Sequence, residues 1–480
     1  MSGSGSKMDL NEVFRAGGRA VAFLDEINKA SIVMLAERGL VAGPLAAKIA
    51  RGIAQVIADE QKTPPTRSAD YLDYEPRLIA AAGPDASRLH TGRSRQDIAS
   101  AIARMNLRDG LLAEVAALVE CREKLAALAA QHLDTIVPAY THGVQAQPTT
   151  LAHYLLAFAS AFTRATARLV EAYARVNRNP LGAGALATSS FPLDRARTAA
   201  LLGFEGIAEN AFDANHLAPV DSFLEVANAL AIAAVEMGMF AQDLHAQYAE
   251  PRPWLLLATG ALTGVSSIMP QKRNPAALEQ LRAQASILLG ELQGIYLLAH
   301  NNRTGMFDYR LYDPVPQARP LAVFGLFAQV VDGLVVDKAR ARAEVEADYS
   351  TTTEIADALL SRADVPFRIG HHFASKLTDF GRSRGLALTA IPYADAARLY
   401  ETENKTPLPL DEAAYREVIS AEYMVHGRRG LGGPQPAETQ RMLDDERAHA
   451  AADRRWCEGA RAKLADAAKT LDAAFARLAG

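Results

Sequence analysis

Residues 264–275 read GVSSIMPQKRNP, a glycine-hinged, polar, cationic loop set directly before a long helical pattern. Asn274 followed by Pro275 reads as a helix start, because an Asn side chain accepts from first-turn N–H groups and proline suits the first helical position. Lys272 and Arg273 then stand at a positive helix end, which attracts anions, carboxylates included. Gly264 supplies a hinge, and the hydroxyls of Ser266 and Ser267 lie across the loop. Spacing alone also fits a surface loop with a helix cap. A hydroxyl on a mobile loop beside cations has the parts needed to bring a base onto a bound anion.

Around this loop lie long helical patterns, over residues 99–133, 149–177, 221–249, 275–300 and 316–346. At about 1.5 Å per residue, about 28 residues make a rod of about 42 Å. Helices of that length indicate a bundle rather than an ordinary globule. Some are apolar on much of their circumference, as at Ile232, Val235, Met239 and Phe240 beside Leu230 and Met237. Five helices of one chain leave such faces uncovered, and association of copies through the bundle covers them. The flanks carry shorter patterns separated by breakers: KTPPTRSADYLDYEP before the bundle, and RSRGLAL, KTPLPLD and RRGLGGPQPAE after it. The expected fold is all-α with three domains: 8–93, a central bundle of five long helices over 94–350, and 351–480. The tail from Asp444 to Leu478 reads as one amphipathic helix with no function attached.

Composition narrows the function. A net charge of −4 over 480 residues leaves no basic footprint for nucleic acid. Two cysteines, Cys121 and Cys457, with no CxxC or Cys/His cluster, argue against a disulfide framework or a zinc site. No apolar run reaches bilayer length without charges. The opening MSGSGSK has no apolar signal-peptide core, and its Gly/Ser alternation places it outside the fold reading. A cytoplasmic protein with no membrane partner is the expectation.

Four stretches in chain order carry a family likeness: RLHTGRSRQD (Arg88–Asp97), AYTHGVQAQPTTLAHY (Ala139–Tyr154), NPLGAGALATSSFPLDR (Asn179–Arg195) and the Gly264–Pro275 loop. Together they resemble the fumarase, aspartase and argininosuccinate lyase superfamily, and its argininosuccinate lyase branch most closely. DVPFRIGHH (Asp364–His372) and GRRGLGGPQP (Gly427–Pro436) are weaker echoes. The resemblance implies cleavage of a succinyl group from nitrogen or oxygen, commonly with release of fumarate. From an N-substituted aspartate, a base takes the proton next to the side-chain carboxylate. The charge spreads onto that carboxylate as a doubly negative aci form, and the amine then leaves with help from an acid. Such chemistry needs a placed base, cationic or N–H stabilisation, and clamps on two carboxylates. No metal or organic cofactor is implied, and the sequence shows no site for either.

By the same resemblance Ser266 is the base, with Lys272 favouring loss of its proton. Lys272 and Asn274 hold the carboxylate on which charge builds. His142, after Thr141, pairs with Glu279 as a proton relay. Ser94, Arg95 and Gln96, with Thr91 nearby, clamp a carboxylate, for which the Arg fork is well shaped. The family site draws on three chains of a homotetramer.

The chain departs from the argininosuccinate lyase branch at several places. Gln96 replaces the usual Asn, THGVQAQP replaces THLQRAQP, and NHLAPVD at Asn215–Asp221 replaces SDRD. Beyond the signature helix, HNNRTGMFDYR puts His300, Gly305 and Asp308 where the branch has Tyr, Gln and Lys around the arginine portion. Losing those partners costs specificity for argininosuccinate by orders of magnitude. The expected activity is therefore a C–N lyase that releases fumarate from an N-substituted L-aspartate. Aminodicarboxylates or aminopolycarboxylates of the ethylenediamine-disuccinate type fit, and an inward Asp308 suits a cationic amine. A genuine argininosuccinate lyase is the alternative. A retired, crystallin-like structural protein is a third reading, against which the intact Ser266, Lys272, Asn274, His142 and Glu279 argue. HTGRSR and GGPQP weigh against fumarase or aspartase chemistry.

Overall fold

The computed structural model describes residues 19–61, 67–306 and 318–480. In chain order α1 (Ala20–Glu37), α2 (Gly43–Gln61) and α3 (Tyr71–Ala82) form an N-terminal layer. A 3-10 turn, Pro84–His90, leads into the 35-residue rod α4 (Arg95–Ala129). The hairpin β1 (Ile136–Thr141) and β2 (Val144–Thr150) connects α4 to α5 (Leu151–Val176). Short α6 (Arg195–Leu201) and α7 (Ala211–His216) precede α8 (Ala218–Gln247). β3 (Leu255–Leu257), β4 (Gly264–Val265) and β5 (Arg273–Asn274) precede α9 (Ala276–Ala299). Then come α10 (Ala318–Asp332), β6 (Leu334–Val336), α11 (Lys338–Ala347), α12 (Thr352–Ala363), α13 (Phe367–Arg384), α14 (Tyr393–Asn404), α15 (Glu412–Val418), α16 (Ala421–His426) and α17 (Pro436–Ala479).

The rods alternate in direction, and side-chain bonds fix their register. Arg104, near the start of α4, donates to the carbonyls of Arg175 and Val176 at the end of α5 (3.1 and 2.9 Å). Tyr154 reaches Asp243, and Arg175 grips Glu225, so α5 and α8 run antiparallel. Arg282 on α9 meets Gln242 on α8 at 2.6 Å, and α9 turns back again. Between them lies a dry core in which the Phe162 and Phe240 rings each sit 5.0 Å from Phe327. Such tilted and edge-on pairs add to the burial of large apolar area.

Four features depart from the sequence reading or refine it. The expected fifth helix over 316–346 is broken. After α10, residues 334–336 extend and pair antiparallel with β3, and Asp337 then caps α11. The β-branched pair Val335–Val336 behind Gly333 prefers the extended form. Secondly, of the apolar residues taken as uncovered on α8, Leu230, Met237 and Phe240 face the core. Ile232, Val235 and Met239 remain exposed, Met239 at 59%. α8 has the length and composition of a membrane span, yet half of that window is buried in the bundle. Thirdly, the stretch 136–150 forms strands, which the all-α expectation did not include. Finally, the tail helix is 44 residues long and lies across the other layers. Its Leu443, Ala450 and Cys457 join the bundle core, and Leu471 and Phe475 join the N-terminal core. A buried cluster latches it: Arg122 bonds Glu446 (2.7 Å) and Asp453 (2.5 Å), and Thr163 donates to Glu446. A separate apolar core spans Ile355 to Ile419.

Candidate active site

The candidate residues divide between the two ends of the bundle. At one end the chain runs from the 3-10 turn through Thr91 to Ser94, which caps α4. Ser94 Oγ accepts from Gln96 N at 3.0 Å, and the Asp97 carboxylate accepts from Ser94 N at 2.9 Å, a reciprocal box that satisfies orphan helix donors. The other oxygen of Asp97 accepts from Gly182 N and Gly184 N, both at 3.1 Å. Asp97 thus ties the family stretch Arg88–Asp97 to the family stretch Asn179–Arg195. It is fully buried, and burial pushes its carboxyl up to about 6 against those N–H donors. Thr91 spends its hydroxyl proton on the Arg88 carbonyl (2.7 Å). Arg95 is exposed and donates to Asp70 at 2.8 Å. Gln96 donates to the Asn215 carbonyl at 3.3 Å, and Asn215 in turn donates to the carbonyls of Gly184 and Ala185.

The segment that follows α9 meets this end. His300 ends α9 with an exposed side chain. Beyond it Gly305, at φ +84, faces His216 so closely that an added Cβ would lie 3.4 Å from its ring. Gln96, Asn215, His216 and Gly305 are therefore in one unbroken chain of contacts. All four stand where the sequence departs from the argininosuccinate lyase pattern, so a departure in the sequence was itself the signal for His216 and Asn215. Asp308 lies outside the described residues.

At the opposite end of a bundle whose rod α4 is about 52 Å long sit Thr141, His142, Ser266, Lys272, Asn274 and Glu279. His142 and Gly143 form the two-residue turn of the β1–β2 hairpin, both with positive φ (55° and 74°). Such a turn matches strand twist, and glycine takes its second position without strain. The turn holds the His142 ring out into solvent. The opening loop is itself a hairpin: Gly264 pairs with Asn274 and Val265 with Arg273. Asn274 therefore serves the ladder rather than capping α9, where no side-chain cap bond forms; the N–H of Ala277 is met by the Leu262 carbonyl instead. Ser266 Oγ accepts from the backbone N–H of Met269 at 3.1 Å and, more loosely, of Ile268 at 3.5 Å. Donors pointing at that oxygen favour its anionic form. Lys272 and Glu279 are exposed, and among the described residues no bond within the chain joins His142 to Glu279. Asp70 and Asp97 were not assigned from sequence, although Ser94 and Asp97 stand at capping-box spacing. Among the described residues no group of three or more His, Cys, Asp or Glu side chains is placed to hold a metal.

The helical architecture matches solved structures along nearly its whole length. A crystal structure of EDDS lyase in complex with formate aligns at 31% identity with a TM-score of 0.87, covering 96% of this chain and 92% of that one. An EDDS lyase variant with bound fumarate aligns with the same values. A fumarate lyase from Mesorhizobium sp. BNC1 shares the fold at 20% identity and a TM-score of 0.71, covering 90% of this chain and 96% of that one. Two family models also match, a lyase model over residues 77–290 and an argininosuccinate lyase C-terminal model over residues 349–426. Fold and motifs thus define a helical lyase of the fumarase/aspartase type. Within that class the chain belongs to the argininosuccinate-lyase-like branch, as a divergent carbon–nitrogen lyase.

Proposed function

We propose that the protein reversibly eliminates an amine from an N-substituted L-aspartate, releasing fumarate, with Ser266 as base. The observation that carries this reading is the Ser266 hydroxyl, held as acceptor by the Met269 N–H in a loop that also carries Lys272. The Ser266 oxygen takes the proton from the carbon beside the side-chain carboxylate. The electron pair left behind enters that carboxylate, where Lys272 and Asn274 offset the charge. The C–N bond then breaks with its electrons going to nitrogen, and the amine gains a proton by way of His142 and Glu279. Ser94, Arg95 and Gln96, with Thr91 and Thr141, grip the dicarboxylate.

One chain holds these groups at opposite ends of a rod, so the site is complete only where copies meet. Exposed Ile232, Val235 and Met239 on α8 and Ile287 and Leu297 on α9 supply an apolar face for that association. A homotetramer with sites shared by three subunits satisfies both demands. EDDS lyase, with formate or fumarate bound, is the relative whose name supports an aminopolycarboxylate substrate. The departures at His300, Gly305 and His216 argue against arginine as the leaving amine.

The test mixes the protein with argininosuccinate, and separately with fumarate and a panel of amines, while fumarate absorbance is followed. Consumption of fumarate with diamines or amino acids other than arginine is expected. Fast turnover of argininosuccinate with every other amine refused would make it a true argininosuccinate lyase instead.

A further inference from the structure

The junction between the breaker-rich stretch of the sequence and α3 has no part in the proposed reaction. Yet Asp70, before the helix, and Tyr71, its first residue, back the clamp loop. Tyr71, the first residue of α3, stacks on His90 with ring centroids 4.4 Å apart. The same ring lies under the Arg93 guanidinium at 4.9 Å, and Arg93 donates onward to Asn28 (2.9 Å) and Ser31 (3.1 Å). Burial and then Arg93 push the His90 imidazole down to about 4, so it stacks as a neutral ring. Asp70, one residue earlier, uses each oxygen separately. Oδ1 accepts from Leu72 N at 3.0 Å and caps α3, and Oδ2 accepts from Arg95 at 2.8 Å. Its side chain is 6% exposed and that of Arg95 53%.

From this we infer that Asp70 is the positioning residue for Arg95 and sets which edge of the guanidinium the substrate carboxylate meets. The inference rests on the proposed role of Arg95 as carboxylate clamp. A carboxylate fixed at a helix N-terminus is held by the cap bond and the helix end together. It is a rigid anchor, unlike a surface acid. Arg95 is rigid only at its backbone, through the Ser94–Asp97 box; its side chain is long and half in solvent. One charge-assisted bond to a fixed partner removes most of that freedom and leaves the remaining N–H groups for a bidentate grip. Charge alone predicts the reverse of position. Removing Asp70 takes a negative charge away from a dianion site, which would tighten fumarate binding. Loss of alignment weakens it.

The experiment is a double-mutant cycle with fumarate as probe. Dissociation constants are read by calorimetry, and KM and kcat in amine addition with whichever panel amine is accepted. Asp70→Asn keeps a side-chain cap for α3 while removing the acceptor for Arg95, and Asp70→Ser is the second variant. Both are expected to keep the parent unfolding midpoint, raise the fumarate Kd and KM about tenfold, and leave kcat within about threefold. In an Arg95→Ala background Asp70→Asn should add nothing further. Parent-like or tighter fumarate binding in Asp70→Asn, with Arg95→Ala weakened, overturns this inference and leaves the proposed function standing. Equal weakening with and without Arg95 also overturns it, since Asp70 then acts through the fold. Parent-like binding by Arg95→Ala overturns the clamp and this inference together.

Discussion

The two ends of the bundle are built on opposite principles. At the clamp end nearly every candidate residue is tied by a second bond: Ser94 by the box, Asp97 by three backbone N–H groups, Arg95 by Asp70, Gln96 by Asn215. At the flap end a two-residue ladder closes a loop whose apolar side chains stand in solvent, Val265 and Ile268 each 82% exposed. Local stability follows buried contacts and protected hydrogen bonds, so the first end is suited to hold a ligand and the second to move onto it. Division of labour of this kind lets a base approach after the dianion is gripped, with water excluded as the loop closes.

The sharpest way to break this comparison is at the flap. Ser266→Ala should lower kcat for elimination at least about a thousandfold, since on the proposed mechanism it removes the base rather than a binding contact. Sedimentation and the unfolding midpoint should stay with the parent, and Ser267→Ala should retain most activity. Substantial turnover by Ser266→Ala would place the base elsewhere. At the clamp the dominant effect should instead be on stability. Asp97→Asn puts a side-chain N–H among backbone donors in a dry site. The expected loss is on the order of 3 kcal/mol, read from denaturant unfolding. If the midpoint does not move, the two-stretch tie at Asp97 is not what holds this end.

How much of this was legible in the sequence follows the same divide. Helix patterns marked α4, α5, α8 and α9 to within a few residues, because 3.6-residue periodicity over long runs is a strong signal. The fifth pattern failed at Gly333, where pairing with β3 overrode a continuous apolar run. The β1–β2 hairpin was not legible because His142–Gly143 is not one of the usual two-residue turn pairs; only Gly143 favours the positive φ found there. At the site, motif likeness singled out residues of the flap and clamp but could not say that they lie a rod's length apart. Nor could it give Arg95 its partner: Asp70 lies 25 residues earlier in the chain, behind a proline-rich break. The core face of α8 was also illegible, since Met237 and Met239 look alike in composition and point opposite ways.

The rod between the ends offers a sharper control. Glu114 on α4 is fully buried, neither carboxylate oxygen has a hydrogen-bond partner among the described residues, and burial pushes its carboxyl up to about 8. Its folded pKa lies above the unfolded value, so the native state keeps a proton that the unfolded chain releases. Stability is then greatest below about pH 4.5 for this group, falls as pH rises, and levels off above about 8. Glu114→Gln cannot ionise and should flatten that slope, leaving the variant about 2–3 kcal/mol more stable than the parent at pH 9. Fumarate affinity and kcat at pH 7 should not change. A change in either would mean that the rod transmits between its ends.

The smallest expected effect returns to the flap and separates its two uses of an apolar side chain. Ile268 contributes almost nothing to the chain as described, because a side chain 82% exposed has little buried area to lose. Ile268→Ser should therefore shift unfolding by no more than about 0.5 kcal/mol. The proposed closure over a bound dianion would cover that side chain, and covering it would stabilise the closed loop by up to about 1.5–3 kcal/mol. Removing part of that gain raises the free energy of the closed, reactive arrangement without touching the open one. The expected result is a roughly tenfold lower kcat with the fumarate Kd unchanged, because the clamp still grips. A fall in affinity matching the fall in kcat would show that the flap also binds the ground state, and the contrast between a holding end and a closing end would no longer stand.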